Sequence, residues 1–262
     1  MNQPSLFIDF KNVTVVTGGH VVLDSLSIQI PDGDHIAILG PNGSGKSSFI
    51  KTLVREYYPV YSESGTVFQT WGKTRWDVFE LRSQIGYVSQ DLELSFRQNI
   101  TGREVILSGF FSSIGLFFHS ITKEMEKKAD EMCAFLEITH LQDRLFTEMS
   151  SGEARRFLIG RALVHDPRIL ILDEPSNSLD LHALHMLRKT MRKIAGKKVI
   201  ILVTHSLPDI IPEINRVVLF KGGRIFSDGP KDQILTDTKI SSVFEVPVRI
   251  RLDDGFYYAT GY

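Results

Sequence analysis

The sequence predicts an α/β protein with an antiparallel β piece near its N-terminus and a helical insertion. Short apolar runs such as Ile36–Leu39 and Val199–Val203 alternate with longer amphipathic stretches, as buried parallel strands alternate with helices. Leu6 to Ile30 instead alternates apolar and polar positions, the mark of an antiparallel pair. From Asp91 the strand patterns fade, and Met125, Ala129, Cys133 and Leu136 recur at helical spacing.

Taken in order, Ile8, Phe10, Val13 and Val15 precede a turn at Gly18-Gly19. Val21 to Leu23, Leu26, Ile28 and Ile30 then lead to the turn Pro31-Asp32-Gly33. After the strand Ile36–Leu39 and a glycine-rich loop, Ser48–Glu56 lacks helix breakers and predicts a helix. Tyr57–Trp76 predicts loops and the edge of a small β region, with a strand over Thr66–Gln69. Arg82–Gln90 predicts a short apolar strand ending on Gln90. Asp91–Glu148 is the helical insertion, with a helix over Thr122–Leu136 whose Glu124, Glu126, Lys127 and Lys128 face water. A helix follows Met149–Glu153, with Ala154, Phe157, Leu158 and Ala162 on one side. The strand Arg168–Leu172 ends in Asp173-Glu174-Pro175, and Leu181–Ala195 is helical. Val199–Val203 ends at Thr204-His205, and Val217–Phe220 is one more strand. Beyond Gly222-Gly223, polar turns lead to Val246–Leu252 and Phe256–Thr260, a hairpin closed at Asp253-Asp254-Gly255. The expected organisation is one domain over 1–262, with a β subdomain and loop core to 90, a helical subdomain over 91–150, further core over 151–240 and the hairpin over 241–262.

Composition narrows the function classes. A 42% hydrophobic and 23% charged chain is globular, and a net charge of −1 makes no electrostatic case for nucleic acid. The single cysteine, Cys133, cannot close an internal disulfide, which points to a reducing compartment and a core role. Met1–Phe10 lacks the basic and long apolar regions of a secretory signal. No run approaches the ~20 apolar residues of a membrane span, and the most apolar piece, Gly109–Ile121, is interrupted by serines, a glycine and His119.

The chemistry begins at Gly40-Pro41-Asn42-Gly43-Ser44-Gly45-Lys46-Ser47, which has the form G-x-x-x-x-G-K-[ST] between a strand and a helix. Its glycines let backbone wrap an anion, and the following helix N-terminus presents partial positive charge to phosphates. Lys46 can reach the β- and γ-phosphates as a point charge, and Ser47 can offer its hydroxyl to Mg²⁺. Four strands end on polar residues, at Gly40/Lys46, Gln90, Asp173/Glu174 and His205. Ligands of parallel α/β sheets bind outside the carboxyl ends of the strands, so these residues are expected to converge. A buried strand ending in Asp-Glu completes such a site, with Asp173 toward Mg²⁺ and Glu174 toward water.

In that order the motifs resemble the ATP-binding subunit of an ABC (ATP-binding cassette) transporter, nearest to the cytosolic ATPases of molybdate and iron-chelate importers. The match runs from about Leu6 to about Leu235: the phosphate loop with Ser48 behind it, a Q-loop at Gln90, a signature at Met149–Glu153, a Walker B strand Ile169–Asp173 with Glu174, a D-loop Ser178-Leu179-Asp180 and a switch His205. The resemblance implies an ATPase whose copies, or a copy and a homologous ATPase, dimerise head to tail around two ATP molecules. The loop residues Gly40, Pro41, Asn42, Gly43, Ser44, Gly45, Lys46, Ser47 and Ser48 hold ATP in one copy, and Ser150, Gly152 and Asp180 reach it from the other. It implies Glu174 as general base, His205 on the γ-phosphate and water, and Gln90 with Ser47 and Asp173 on Mg²⁺. It further implies transmembrane permease subunits, a cytoplasmic place on the inner face of the membrane, and substrate transport, with a lean toward import. The alternative is an ATPase that assembles or scaffolds soluble partners without transport.

The bland readings stay beside these. Gln90 alone is a polar strand end, His205 alone a surface histidine, and Asp180 a helix N-cap for Leu181 onward. His20, His35, His119, His140, His165, His182 and His185 belong to no motif. Leu107–Phe118 follows the Q-loop and reads either as a partner-docking surface or, more readily, as core. Two departures from the family pattern stand out. The signature L-S-G-G-Q is here Met149-Ser150-Ser151-Gly152-Glu153, and the aromatic that stacks on adenine is replaced by Thr17, leaving base contact weak or supplied by Val16 or His20.

Overall fold

The computed structural model describes residues 5–60, 65–96, 99–116 and 119–261. In chain order its strands and helices are β1 (Leu6–Thr17), β2 (His20–Pro31), β3 (Ile36–Leu39), α1 (Lys46–Leu53), β4 (Val67–Thr70), α2 (Val78–Gln84), β5 (Ile85–Val88), α3 (Gln90–Ser95), α4 (Gly102–Ser108), α5 (Lys123–Phe135), α6 (Ser151–Leu163), β6 (Ile169–Asp173), α7 (Leu181–Ala195), β7 (Val199–Thr204), β8 (Arg216–Lys221), β9 (Arg224–Pro230), α8 (Lys231–Ile234), α9 (Asp237–Phe244), β10 (Arg249–Asp253) and β11 (Phe256–Thr260). They form two compact units, Met1–Arg82 with Val199–Tyr262, and Ser83–Lys198.

In the first unit β2, β1 and β4 make an antiparallel sheet, with β1 in the middle. Phe10 and Val13 are both buried although their odd spacing would place them on opposite faces of a regular strand. A register shift between them, with Asn12 at φ 51, absorbs the extra residue. β3, fully buried, runs parallel to β7 and β8, and β9 closes antiparallel on β8. Phe49 of α1 lies 6.0 Å from the ring of Phe10 and 5.5 Å from that of Phe220, so one helix side chain joins the cores of both sheets.

His35 fixes where β7 begins. Its Nδ1 accepts the Ile200 N–H at 3.1 Å, which requires that nitrogen to be unprotonated. Burial lowers its pKa from the ordinary 6.5, against the pull of the Glu213 and Asp34 carboxylates. An unfolded chain therefore binds this proton at higher pH than the folded one, so the histidine's contribution is complete above about pH 6.5 and fades as pH falls below it. Melting of the wild type from pH 7.5 down to 5.5 should lose several degrees more than that of His35→Asn; equal slopes would remove His35 from the account.

In the second unit β5 and β6 pair in parallel, from Ile85↔Ile169 to Val88↔Leu172. Its helices announce themselves by their caps: Thr101 with Glu104 opens α4, Thr122 opens α5, Ser150 with Glu153 opens α6 and Asp180 opens α7. Burial pushes the Cys133 thiol up to about 11, so it serves as an inert core residue.

Several elements differ from the sequence expectation. α1 starts at Lys46 rather than Ser48, because the loop feeds directly into helical backbone. α2 was not expected; Asp77 caps it by accepting from Phe79 and Glu80 N–H at 2.8 and 3.1 Å. Gln90 does not end a strand but opens α3, two residues past β5. Residues 224–244 hold β9, α8 and α9 rather than polar turns. β9 is an edge strand that shows water its charged side chains, Asp228 being clasped by Arg216 at 2.7 Å, and α9 buries only Ile240 and Val243, so neither leaves an apolar pattern. The closing hairpin starts at Arg249, and Asp254 and Gly255 turn it with φ 47 and 79. In Leu107–Phe118, Leu107 to Gly109 are buried and Ile114 is 40% exposed, while Phe117 and Phe118 lie outside the described residues, as do Met1–Pro4 and Tyr61–Ser64. Among the described residues no helix is long and apolar enough to cross a membrane.

Candidate functional site

The loop from Gly40 to Ser47 joins β3 to α1, and each glycine in it answers a different constraint. A Cβ on Gly40 would collide with the Phe220 carbonyl oxygen. Gly45, at φ 103, would strike the Val22 carbonyl oxygen at 3.0 Å. Gly43, at φ 76, has none of the described residues within 4 Å on its Cβ side, which leaves bare backbone open to a bound group. Among the described residues no side chain caps the N-terminus of α1. Lys46 is 5% exposed, and its ammonium donates to the Gly40 and Pro41 carbonyl oxygens at 2.9 and 3.1 Å. The Ser44 hydroxyl is buried with no hydrogen-bond partner among the described residues. A cation, an orphaned buried hydroxyl, open backbone and an uncapped helix start together fit a chain of phosphates. Asn42 and Ser47 are exposed and Ser48 is half-buried.

In the same unit His205 is exposed just past β7. Its loop is pinned from below. Thr204 Oγ1 donates to the buried Asp209 at 2.6 Å and accepts the Ser206 N–H at 3.0 Å. At the tip of the β1–β2 hairpin Thr17 pairs with His20 and is half-buried, while the neighbouring pair Val16 and Val21 is 44% and 58% exposed.

The second unit carries the other predicted residues. Gln90 is exposed at the first position of α3, whose start Ser89 caps by accepting the Leu92 N–H at 3.3 Å. Asp173, 6% exposed at the end of β6, accepts from the Tyr87 hydroxyl at 3.3 Å. Glu174 takes φ 50, although a residue before proline is normally held extended. Ser178 likewise sits at φ 64, and the Asp180 carboxylate caps α7 through the Ala183 N–H at 2.7 Å. Non-glycine residues at positive φ are uncommon and concentrate where geometry serves function.

At the start of α6, Ser150 and Glu153 form a closed box. The Ser150 N–H donates to Glu153 Oε2 at 2.8 Å, its hydroxyl donates to the same oxygen at 2.9 Å, and the Glu153 N–H reaches Ser150 Oγ at 3.4 Å. The Ser150 N–H chiefly, and Arg144 at 3.7 Å in smaller part, hold the Glu153 carboxyl below its ordinary 4.5. Gly152 has no room for a side chain, since a Cβ would meet that of Ala183 in α7 at 2.6 Å.

Some residues that shape these surfaces escaped the sequence reading. Arg155 of α6 is 2% exposed and forms a 3.0 Å ion pair with Glu93 of α3, so it ties the signature helix to the segment that opens on Gln90. Burial lowers its pKa, opposed by the Glu93 and Asp173 carboxylates. In the sequence it is one charge among many in a helix. Tyr87 and Asp209 were equally hidden, because each matters through a partner remote in sequence or in a loop without periodicity.

The family model described as ABC transporter matches residues 23–177. The chain is 32% identical over 248 residues to an uncharacterized ABC transporter ATP-binding protein, YlmA, of Bacillus subtilis, covering 94% of this chain and 93% of that one. It is 29% identical to the hemin import ATP-binding protein HmuV of Aliivibrio fischeri, over 93% and 92% of the two chains. It is 31% identical to the Nod factor export ATP-binding protein I of Neorhizobium galegae, over 94% of this chain and 68% of that one. Among solved structures, an inward-facing putative metal-chelate type ABC transporter superposes with TM-score 0.77 at 20% identity, covering 98% and 97%. An ATP-binding cassette in its ADP conformation gives 0.75 at 25% identity, covering 91% and 98%. The phosphate loop, the Asp-Glu strand end and these matches agree: the chain belongs to the ABC transporter family and is one of its ATP-binding, ATP-hydrolysing subunits.

Proposed function

We propose that the whole of 1–262 works as one cassette that closes as a dimer over ATP and drives import through separate membrane-spanning subunits. The observation that carries the nucleotide reading is the loop Gly40–Ser47, with its open backbone at Gly43, its buried Ser44 hydroxyl and its Lys46 cation. Pro41, Asn42 and Gly45 complete the wrap around the phosphates, and Ser48 supports it from α1. Mg²⁺, when bound, neutralises phosphate charge, and we assign Ser47, Asp173 and Gln90 to hold it. The buried Asp173 carboxylate, steadied by the Tyr87 hydroxyl, is the kind of oxygen donor that ion takes.

Glu174 serves as general base. It stands at φ 50 directly past the end of β6, and in this role its carboxylate takes a proton from water. His205, on a loop braced by Thr204 and Asp209, contacts the γ-phosphate and the water. From the second copy, the Ser150 hydroxyl and the Gly152 N–H at the start of α6 meet the γ-phosphate, and Asp180 reaches across. Import is supported by end-to-end likeness to the hemin importer protein, whereas about a third of the Nod factor exporter's own length lies outside the match. In that setting the protein sits on the cytoplasmic face of the membrane through its partners.

The test is co-purification. Tagged Glu174→Gln, extracted from its native host in mild detergent with MgATP, should bring down a multispanning membrane protein in stoichiometric amount. Recovery of soluble partners alone would replace transport with an assembly role.

A further inference from the structure

The signature serine has one hydroxyl proton, and Glu153 already holds it. Glu153 Oε2 accepts both the Ser150 hydroxyl and the Ser150 N–H, at 2.9 and 2.8 Å. The carboxylate is 22% exposed; Arg144, itself 45% exposed, lies 3.7 Å away, and Arg156 adds a weaker pull. An ionised carboxylate at a helix start competes with any incoming anion for the same donors and repels it. An amide at the same position would keep the backbone contact and drop the charge.

We propose that Glu153 is a brake on the ATP-bound dimer: its carboxylate withholds the Ser150 hydroxyl and sets a negative charge beside the place where the partner's γ-phosphate must arrive. This rests on the reading above, in which Ser150 meets that phosphate. Dimer formation must break the contact between Ser150 Oγ and Glu153, so this chain needs more ATP to close than it would with glutamine there. The same carboxylate favours the α6 start, so brake and cap have opposite signatures on substitution.

Glu153→Gln in the Glu174→Gln background should lower the ATP concentration for half-maximal dimerisation by about fivefold at low salt, as expected for one half-screened charge. The gain should shrink below about twofold at ~0.5 M KCl, where the Debye length is only a few ångströms. The melting temperature without nucleotide should stay level or fall, because a charged cap has been lost. A role confined to holding α6 would weaken dimerisation along with the melting temperature and would not respond to salt. An unchanged or higher ATP requirement would overturn the brake, as would a gain that salt leaves intact. Failure of Glu174→Gln to dimerise with either residue at 153 would instead overturn the ATP-sandwich reading and the brake with it.

Discussion

Glu174→Gln should lower phosphate release by roughly a hundredfold or more while leaving nucleotide binding within about twofold, the range expected when a general base is removed. Glutamine is isosteric with glutamate and keeps a hydrogen-bond acceptor, so water can still be held but its proton has nowhere to go. The backbone makes this position unusual: φ is 50 just before Pro175, and the turn is closed by the Asn177 N–H on the Glu174 carbonyl at 3.3 Å. Such a conformation carries an intrinsic cost that the surrounding structure must offset. Phosphate release at saturating MgATP, beside binding of a fluorescent ADP analogue, separates loss of chemistry from loss of binding. Turnover near wild type would take the base assignment away from Glu174.

Gly152→Ala should abolish ATP-driven dimerisation and cut hydrolysis about a hundredfold, because one methyl group displaces the surface we assign to the partner's phosphate. The added Cβ would sit 2.6 Å from that of Ala183, far inside contact distance. Ala183 lies in the first turn of α7, held there by the Asp180 cap at 2.7 Å, so either α6 or the capped turn must move. Overpacking of this kind costs about 1–3 kcal/mol, and a shift at the proposed phosphate donors is costly because such donors work by geometry fixed in advance. Fluorescent ADP binding should persist, since the phosphate loop belongs to the other compact unit. Dimerisation equal to the parent would mean that Gly152 is a packing glycine only.

Much of this was legible before any coordinates. The phosphate loop, the Asp173-Glu174 strand end and α7 from Leu181 to Ala195 sit in segments where period, caps and breakers agree. Thr122 and Asp180 were readable as helix starts because a cap is a local device, encoded within three or four residues. What escaped depends on partners far along the chain or on weak apolar signal. Gln90 looked like a strand end because Ser89, its cap, is a common loop residue. The Arg155–Glu93 pair needs α3 and α6 to be packed before either charge has meaning. The replacement of the signature glutamine was visible as Glu153, but its grip on the Ser150 hydroxyl was not. α9 and β9 were missed because short, half-exposed elements carry little periodicity, not because the sequence contradicts them.

The central claim is that this chain closes on ATP as a dimer and opens by hydrolysing it. Light scattering of purified Glu174→Gln with and without MgATP tests that most directly. The predicted result is a monomer of 29.6 kDa without nucleotide and twice that mass with MgATP, reversed by Lys46→Ala. A mass that stays at the monomer value with MgATP, in protein that binds the nucleotide, would contradict the account.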